Sequence, residues 1–232
     1  PQTTTSYDAL RRVSSIDYPD GNSETFAYSG FRTTSIDRNG HQKIQQVDEF
    51  ERLVKVEEYT GSNPYTLYAT TNYLYDESDL LKQVTDAAGN LTTMTYDGFG
   101  RKTEMTDPDM GEWFYAYDVF GNLMRQTDAR GQRVCLYYDD LNRLIGKHYR
   151  TNDDCPSTPT FDVSYGYDAG INGKGQRTSM GNAGGTTTWT YNALGQPETE
   201  TRHIDNEDYI YEATFDAFGR PLAQTLPIGE LL

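Results

Sequence analysis

The sequence predicts an all-β chain built of tandem β-hairpins, and three observations carry that prediction. A Tyr-Asp pair recurs along the chain with a period of 21 residues. Two Asp/Gly turn signals fall within each period. Between the turns lie segments of five to eight residues rich in Thr, Val and Tyr. Their length and β-branched content suit strands, and Asp/Gly clusters at both ends suit hairpin turns.

The recurrence runs along nearly the whole chain. Intact pairs stand at Tyr7-Asp8, Tyr75-Asp76, Tyr96-Asp97, Tyr117-Asp118, Tyr138-Asp139 and Tyr167-Asp168. Variants at Tyr28-Ser29, Val47-Asp48, Tyr191-Asn192 and Phe215-Asp216 bring the count to ten units. Successive spacings are 21, 19, 28, 21, 21, 21, 29, 24 and 24 residues, which places insertions before Tyr75 and around Tyr167. Each pair opens a first turn that carries a large apolar residue and then, often, Gly and Arg. This gives Leu10-Arg11-Arg12, Phe99-Gly100-Arg101, Phe120-Gly121-Asn122, Leu141-Asn142-Arg143, Leu194-Gly195-Gln196 and Phe218-Gly219-Arg220. About eleven residues after the Tyr comes a second turn signal, at 17–21, 37–40, 86–89, 107–111 and 128–131. Gly supplies a positive φ, and Asp bonds backbone N–H groups two residues on. One repeat is therefore one hairpin plus the turn to the next. Tyr73/Tyr75, Met94/Tyr96, Tyr115/Tyr117, Leu136/Tyr138, Tyr165/Tyr167 and Trp189/Tyr191 stand two apart, hence on one face of a strand. The stacked hairpins are expected to carry an aromatic ladder.

Composition agrees with a thin sheet rather than an oily core. Hydrophobic residues make up 35% of 232 residues, against roughly 45–50% in ordinary globular chains when glycine is counted. Yet 19 Tyr, 9 Phe and 2 Trp exclude a disordered chain, which is poor in aromatics. A net charge of −15 repels nucleic acid and anionic membrane. No apolar run approaches the roughly 18 residues of a membrane span, and residues 1–5 do not form a signal peptide. Residues 1–232 are read as a single repeat array of about ten hairpins, a fragment of a longer chain.

Candidate chemistry is sparse. His41, His148 and His203 lie in different repeats without Cys or acidic neighbours at metal-ligand spacing and are expected to be solvated. Ser14 and Ser15 lack a nucleophile-elbow context, and the segment from Gly170 to Gly175 matches no phosphate or dinucleotide loop. It reads as a loop insertion. The recurrent Asp-x-x-Gly turns lack the repeats that bind calcium. No catalytic, cofactor or metal site is expected. Cys135 and Cys155 are 20 apart, nearly one period, and the spacing leaves open whether they are bridged. Asn90-Leu91-Thr92 is a glycosylation sequon. Arg101, Arg143 and Arg220 stand four residues after Asp97, Asp139 and Asp216 and are expected to pair with them. Aromatics beside carboxylates also suit sugar faces, which keeps glycans as an alternative ligand for the Tyr-Asp positions.

The pattern Tyr-Asp-x-(Leu/Phe)-Gly-Arg, followed by a Thr-Asp-x-x-Gly turn at a 21-residue period, resembles the Rhs/YD-repeat family. That family includes Rhs proteins, the B and C components of insecticidal toxin complexes, and teneurins. The resemblance implies a curved, spiralling antiparallel sheet that is part of a hollow shell. It further implies encapsulation and delivery of a C-terminal toxin domain, in a secreted or cell-surface protein without enzymatic activity of its own. The implied partners are the rest of the shell, its toxin cargo, and possible glycans or another toxin-complex subunit. The alternative within the family is an adhesion module. The motif residues Tyr7, Asp8, Tyr75, Asp76, Tyr96, Asp97, Gly100, Arg101, Tyr117, Asp118, Gly121, Tyr138, Asp139, Arg143, Tyr167, Asp168, Tyr191, Phe215, Asp216, Gly219 and Arg220 would then be structural. The segment from Arg220 to Gly229 superficially resembles the family's self-cleaving site but lacks its Asp, so no autoproteolysis is expected.

Overall fold

The computed structural model describes residues 2–62, 64–151 and 154–227. The described residues hold twenty strands and no helix. The end of the Arg220–Gly229 comparison therefore lies outside the described residues. The strands fall into two units, 1–113 and 114–232.

In the first unit, β1 (Thr4–Tyr7), β2 (Val13–Asp17), β3 (Ser23–Ser29), β4 (Arg32–Ile36) and β5 (Gln42–Val47) follow one another. After them come β6 (Leu53–Thr60), β7 (Thr66–Tyr75), β8 (Leu81–Thr85), β9 (Leu91–Tyr96) and β10 (Lys102–Asp107). Every strand pairs antiparallel with its neighbours in sequence. In the second unit, β11 (Gly111–Tyr117) pairs β12 (Leu123–Thr127) through residues 114–117. The same meander continues through β13 (Gln132–Tyr138), β14 (Leu144–Thr151), β15 (Val163–Tyr167) and β16 (Arg177–Asn182). It ends with β17 (Gly185–Tyr191), β18 (Pro197–Ile204), β19 (Glu207–Phe215) and β20 (Pro221–Thr225). In such a meander, all turns from an odd to an even strand lie at one edge of the sheet. Those from an even to an odd strand lie at the other.

Alternation sets the faces. In β3 and β17 the burial strictly alternates, with Phe26, Tyr28, Trp189 and Tyr191 on the better covered side and Thr or Ser opposite. These aromatic side chains are half-buried rather than sealed. Among the described residues, Cys135 is the only hydrophobic side chain sealed from solvent. Low hydrophobicity thus has a physical cause: within each unit a single sheet has edges and faces but no thick interior.

Candidate functional site

The Tyr-Asp turn is where the sequence concentrates its chemistry, and its geometry starts from Asp. In the turn after β9, the Asp97 N–H donates to the Arg101 carbonyl at 2.9 Å, and the Gly100 N–H returns to the Asp97 carbonyl at 3.0 Å. The Asp97 carboxylate caps the same loop, its Oδ1 accepting from the N–H groups of Phe99 and Arg101 at 2.9 and 3.0 Å. Its Oδ2 takes Nε of Arg101 at 2.7 Å. Asp8, Asp139 and Asp216 repeat this arrangement with Arg12, Arg143 and Arg220. Asp76 and Asp118 cap their loops in the same way, with Leu80 and Asn122 in the Arg position. The loop is a type I turn closed by a residue in the left-handed region, and it leaves a bulge beside the motif position. The pairing slips accordingly next to Tyr7, Tyr75, Tyr117, Tyr138, Tyr167, Tyr191 and Phe215. The left-handed residue is Gly100, Gly121 or Gly219 in some repeats, at φ 76°, 91° and 79°, but Arg11, Glu51, Asp79 and Asn142 in others.

In several repeats the second turn uses the same loop. Asp37, Asp86 and Asp128 bond residues four and three positions on exactly as the motif Asp residues do in kind, through their N–H and C=O groups. Their carboxylates cap the loop as well. Asn90, the sequon residue, spends its side-chain amide on Asp86 at 2.8 Å.

The Tyr ties one hairpin to the previous one. Tyr138, the last residue of β13, donates its Oη–H to the carbonyl of Leu123, the first residue of β12, at 3.0 Å. Tyr28, Tyr75, Tyr96, Tyr167 and Tyr191 do the same to Val13, Leu53, Leu81, Leu144 and Arg177, each the first residue of the preceding strand. Burial pushes the phenols of Tyr96 and Tyr138 above their ordinary range, so they remain donors. Sequence reasoning found the Tyr but not its acceptor, because a backbone carbonyl leaves no mark in a residue pattern.

Arginine extends the link in the other direction. Arg143 holds Asp139 of its own turn and Asp168 of the next at 2.8 Å each, and its guanidinium lies 4.4 Å from the Tyr167 ring centre. The hydrogen bonds it donates to Asp168 and Asp139 hold it firmly protonated. Arg52 likewise binds Asp48 and Asp79 and covers Tyr75, and Arg12 binds Asp8 and covers Tyr28. Along this part of the ladder, guanidinium groups lie against the tyrosine rings. The carboxylates are correspondingly more acidic than usual. Asp97 is lowered by its side-chain bond from Arg101, and Asp8, Asp139 and Asp216 first of all by the backbone N–H four residues on.

The insertion between β14 and β15 lies back over the sheet. Cys135 and Cys155 form a disulfide, with Cα atoms 5.7 Å apart. Tyr137 donates to the Pro156 carbonyl at 2.9 Å, and its ring meets Phe161 at 5.4 Å between centroids. His148 is largely buried here, with Nδ1 2.9 Å from Asp162. That corrects the expectation of three solvated histidines, since the covering insertion was not legible in the sequence. His41 and His203 are exposed, beside Asp37 and Asp208. A cleft of about 690 Å³ opens beside the insertion, lined in part by Asp118 and Asp139. Both carboxylates are already engaged in their turns, which leaves neither poised as a free acid or base. Among the described residues no group of three metal-ligating side chains comes together. None of the helix-free described residues forms an apolar helix long enough to cross a membrane.

Residues 75–109 match the RHS Repeat family. A search of curated proteins finds no match. Among solved structures, a chain of TcdB2-TccC3 is similar at TM-score 0.76 and 17% identity, over 99% of this chain and 14% of that one. TcdB2-TccC3-Cdc42 gives TM-score 0.74 at 17% identity, over 99% of this chain and 13% of that one. The Photorhabdus luminescens Tc holotoxin pore gives 0.73 at 17%, again over 99% and 13%. This chain therefore spans 13–14% of the length of the chains it matches. At such identity the likeness is one of fold, and it bears out the all-β reading and the resemblance to Rhs/YD-repeat proteins of the toxin-complex kind.

Proposed function

We propose that this chain, an RHS-repeat sheet with the fold of toxin-complex chains, is a wall segment of a shell that encloses a C-terminal toxin domain and helps deliver it. The observation that carries the reading is how the repeat spends its reactive groups. Tyr hydroxyls, Asp carboxylates and Arg guanidiniums are engaged within a turn or with the adjacent hairpin. This is the economy of a scaffold and not of an active site. The motif residues are structural in this reading, residues 1–232 act as one array of about ten hairpins, and the region catalyses nothing. Its partners are the remainder of the shell, the cargo, and other subunits of a toxin complex, in a secreted or surface-delivered system.

Limited proteolysis of the full-length parent tests this. The reading expects the segment beyond the repeats to resist protease while the repeat sheet is folded, and to be digested once the sheet is melted. Equal digestion before and after melting, together with tight binding of this chain on a glycan array, would favour the adhesion alternative instead.

A further inference from the structure

The turns at one edge of the sheet carry a row of exposed apolar side chains that the turns themselves do not require. In the second unit, Phe120, Leu141, Ile171, Leu194 and Phe218 stand at the successive odd-to-even turns, 68–86% exposed. Four of them occupy the same position, two residues after the motif Asp or Asn; Ile171 lies in the longer loop after Tyr167. The first unit repeats the pattern with Leu10, Phe31, Phe50 and Phe99, and only Ser78 interrupts it.

The opposite edge is an internal control. There the same loop, with the same hydrogen bonds, holds Asp20, Asn39, Ala88 and Arg130 at the equivalent position. Loop geometry is thus indifferent to the side chain, and exposed polar residues or alanine fill it without strain. A large apolar residue repeated at this loop position along one edge, where the opposite edge shows only Met110 in a turn of different form, needs another cause, and exposed apolar patches of this extent mark contact surfaces.

We infer that this edge is a docking rail for another run of the same hairpin repeats, met in solution as a second copy of this chain. Two observations select that occupant. The tips recur once per hairpin, so their spacing is two strands, roughly 9.6 Å, and a partner must present features at that interval. A hairpin-repeat sheet does so by construction. The rail is also large enough: Phe120 and Phe218, at about 150–250 Å² each when fully covered, with Leu141, Ile171 and Leu194 beside them, approach the ~800 Å² per partner of a specific interface. The inference stands apart from the shell reading, because it would hold equally for an adhesion module.

Sedimentation of the purified chain over a concentration series tests it. The wild type is expected to dimerise. The variant Phe120→Ser/Leu141→Ser/Leu194→Ser/Phe218→Ser is expected to weaken the dimer by about tenfold or more while keeping its circular dichroism. Asp20→Ser/Asn39→Ser/Arg130→Ser at the opposite edge should leave it unchanged. Hydrogen exchange of the wild type gives a readout free of substitution: on concentrating, protection should rise at 117–122 and 138–143 and not at 128–132. A chain that stays monomeric overturns the inference. So does a dimer that survives the first variant, which would point to strand pairing through β1 or β20, or protection gained at the polar edge.

Discussion

A single hydroxyl distinguishes Tyr138 from Phe215, which holds the same position in its own repeat. The Tyr138 hydroxyl bonds the Leu123 carbonyl of the preceding hairpin, so Tyr138→Phe should cost about 0.5–1.5 kcal/mol, read as a lower midpoint in urea. The fold should persist, since Phe215 already occupies a folded strand end. At the left-handed position the opposite sign is expected. Glu51 adopts φ 63° where other repeats carry Gly, and an L-residue there is disfavoured by about 1–2 kcal/mol. Glu51→Gly should therefore stabilise the first unit by up to about 1 kcal/mol after the glycine's own entropy is counted, and Gly121→Ala should destabilise the second. Equal melting of Glu51→Gly and wild type would show that the loop relaxes around Glu. These two positions also mark what the sequence could and could not reveal. The Tyr and the Gly were visible as recurring letters. The carbonyl that receives the hydroxyl was not, and neither was the reach of Arg143 to the next turn, because both depend on register across hairpins.

Turns are the elements on which acid should act. Asp8, Asp97, Asp139 and Asp216 all titrate below the ordinary carboxylate range. A carboxyl with a depressed folded pKa contributes stability that is fully present above its unfolded value, about 3.9, and is lost as pH falls through the folded value. Unfolding should therefore be insensitive to these groups near neutrality and become easier below about pH 4. Asp97→Asn should flatten that acid limb while keeping the loop, because Asn192 caps its own turn through Oδ1 to Leu194 and Gln196. An acid limb unchanged in this variant would place the sensitivity elsewhere. The insertion between β14 and β15 is the other element with a distinct prediction. Reducing the Cys135–Cys155 bond opens a loop of about 20 residues, worth about 3 kcal/mol in the loop-entropy picture. Hydrogen exchange should rise around Tyr137, His148 and residues 154–162, while the first unit is unaffected. Spacing alone left open whether the two cysteines are bridged and could not say that the insertion folds back over Tyr137. Nothing in its Pro- and Asp-containing sequence has the period of the strands.

Across the whole molecule, the strand order was almost entirely legible, because a recurring turn every 21 residues leaves a consecutive antiparallel meander as the simplest pairing, and local contacts dominate repeat arrays. What the period could not show was that the large apolar residues of the first turns stand exposed in a row along one edge. Both edges use the same loop with its tip exposed, and the residue at the tip, large and apolar at one edge but Asp20, Asn39, Ala88 or Arg130 at the other, separates them. Low hydrophobic content, which reads as a deficit for a globular domain, fits a chain in which each unit is a single sheet fastened by Tyr, Asp and Arg at the strand ends. The central claim is that the 21-residue unit is a physical module, whose Tyr finds a carbonyl in whichever hairpin precedes it. The most direct test is a pair of deletions compared by circular dichroism and thermal melting. Removing residues 96–116, one full period, should leave Tyr117 to follow Thr95 in register, with a β-rich spectrum and a cooperative melt. Removing ten residues inside one hairpin should abolish the order of that region. If the two deletions behave alike, the period has no structural meaning and the account fails.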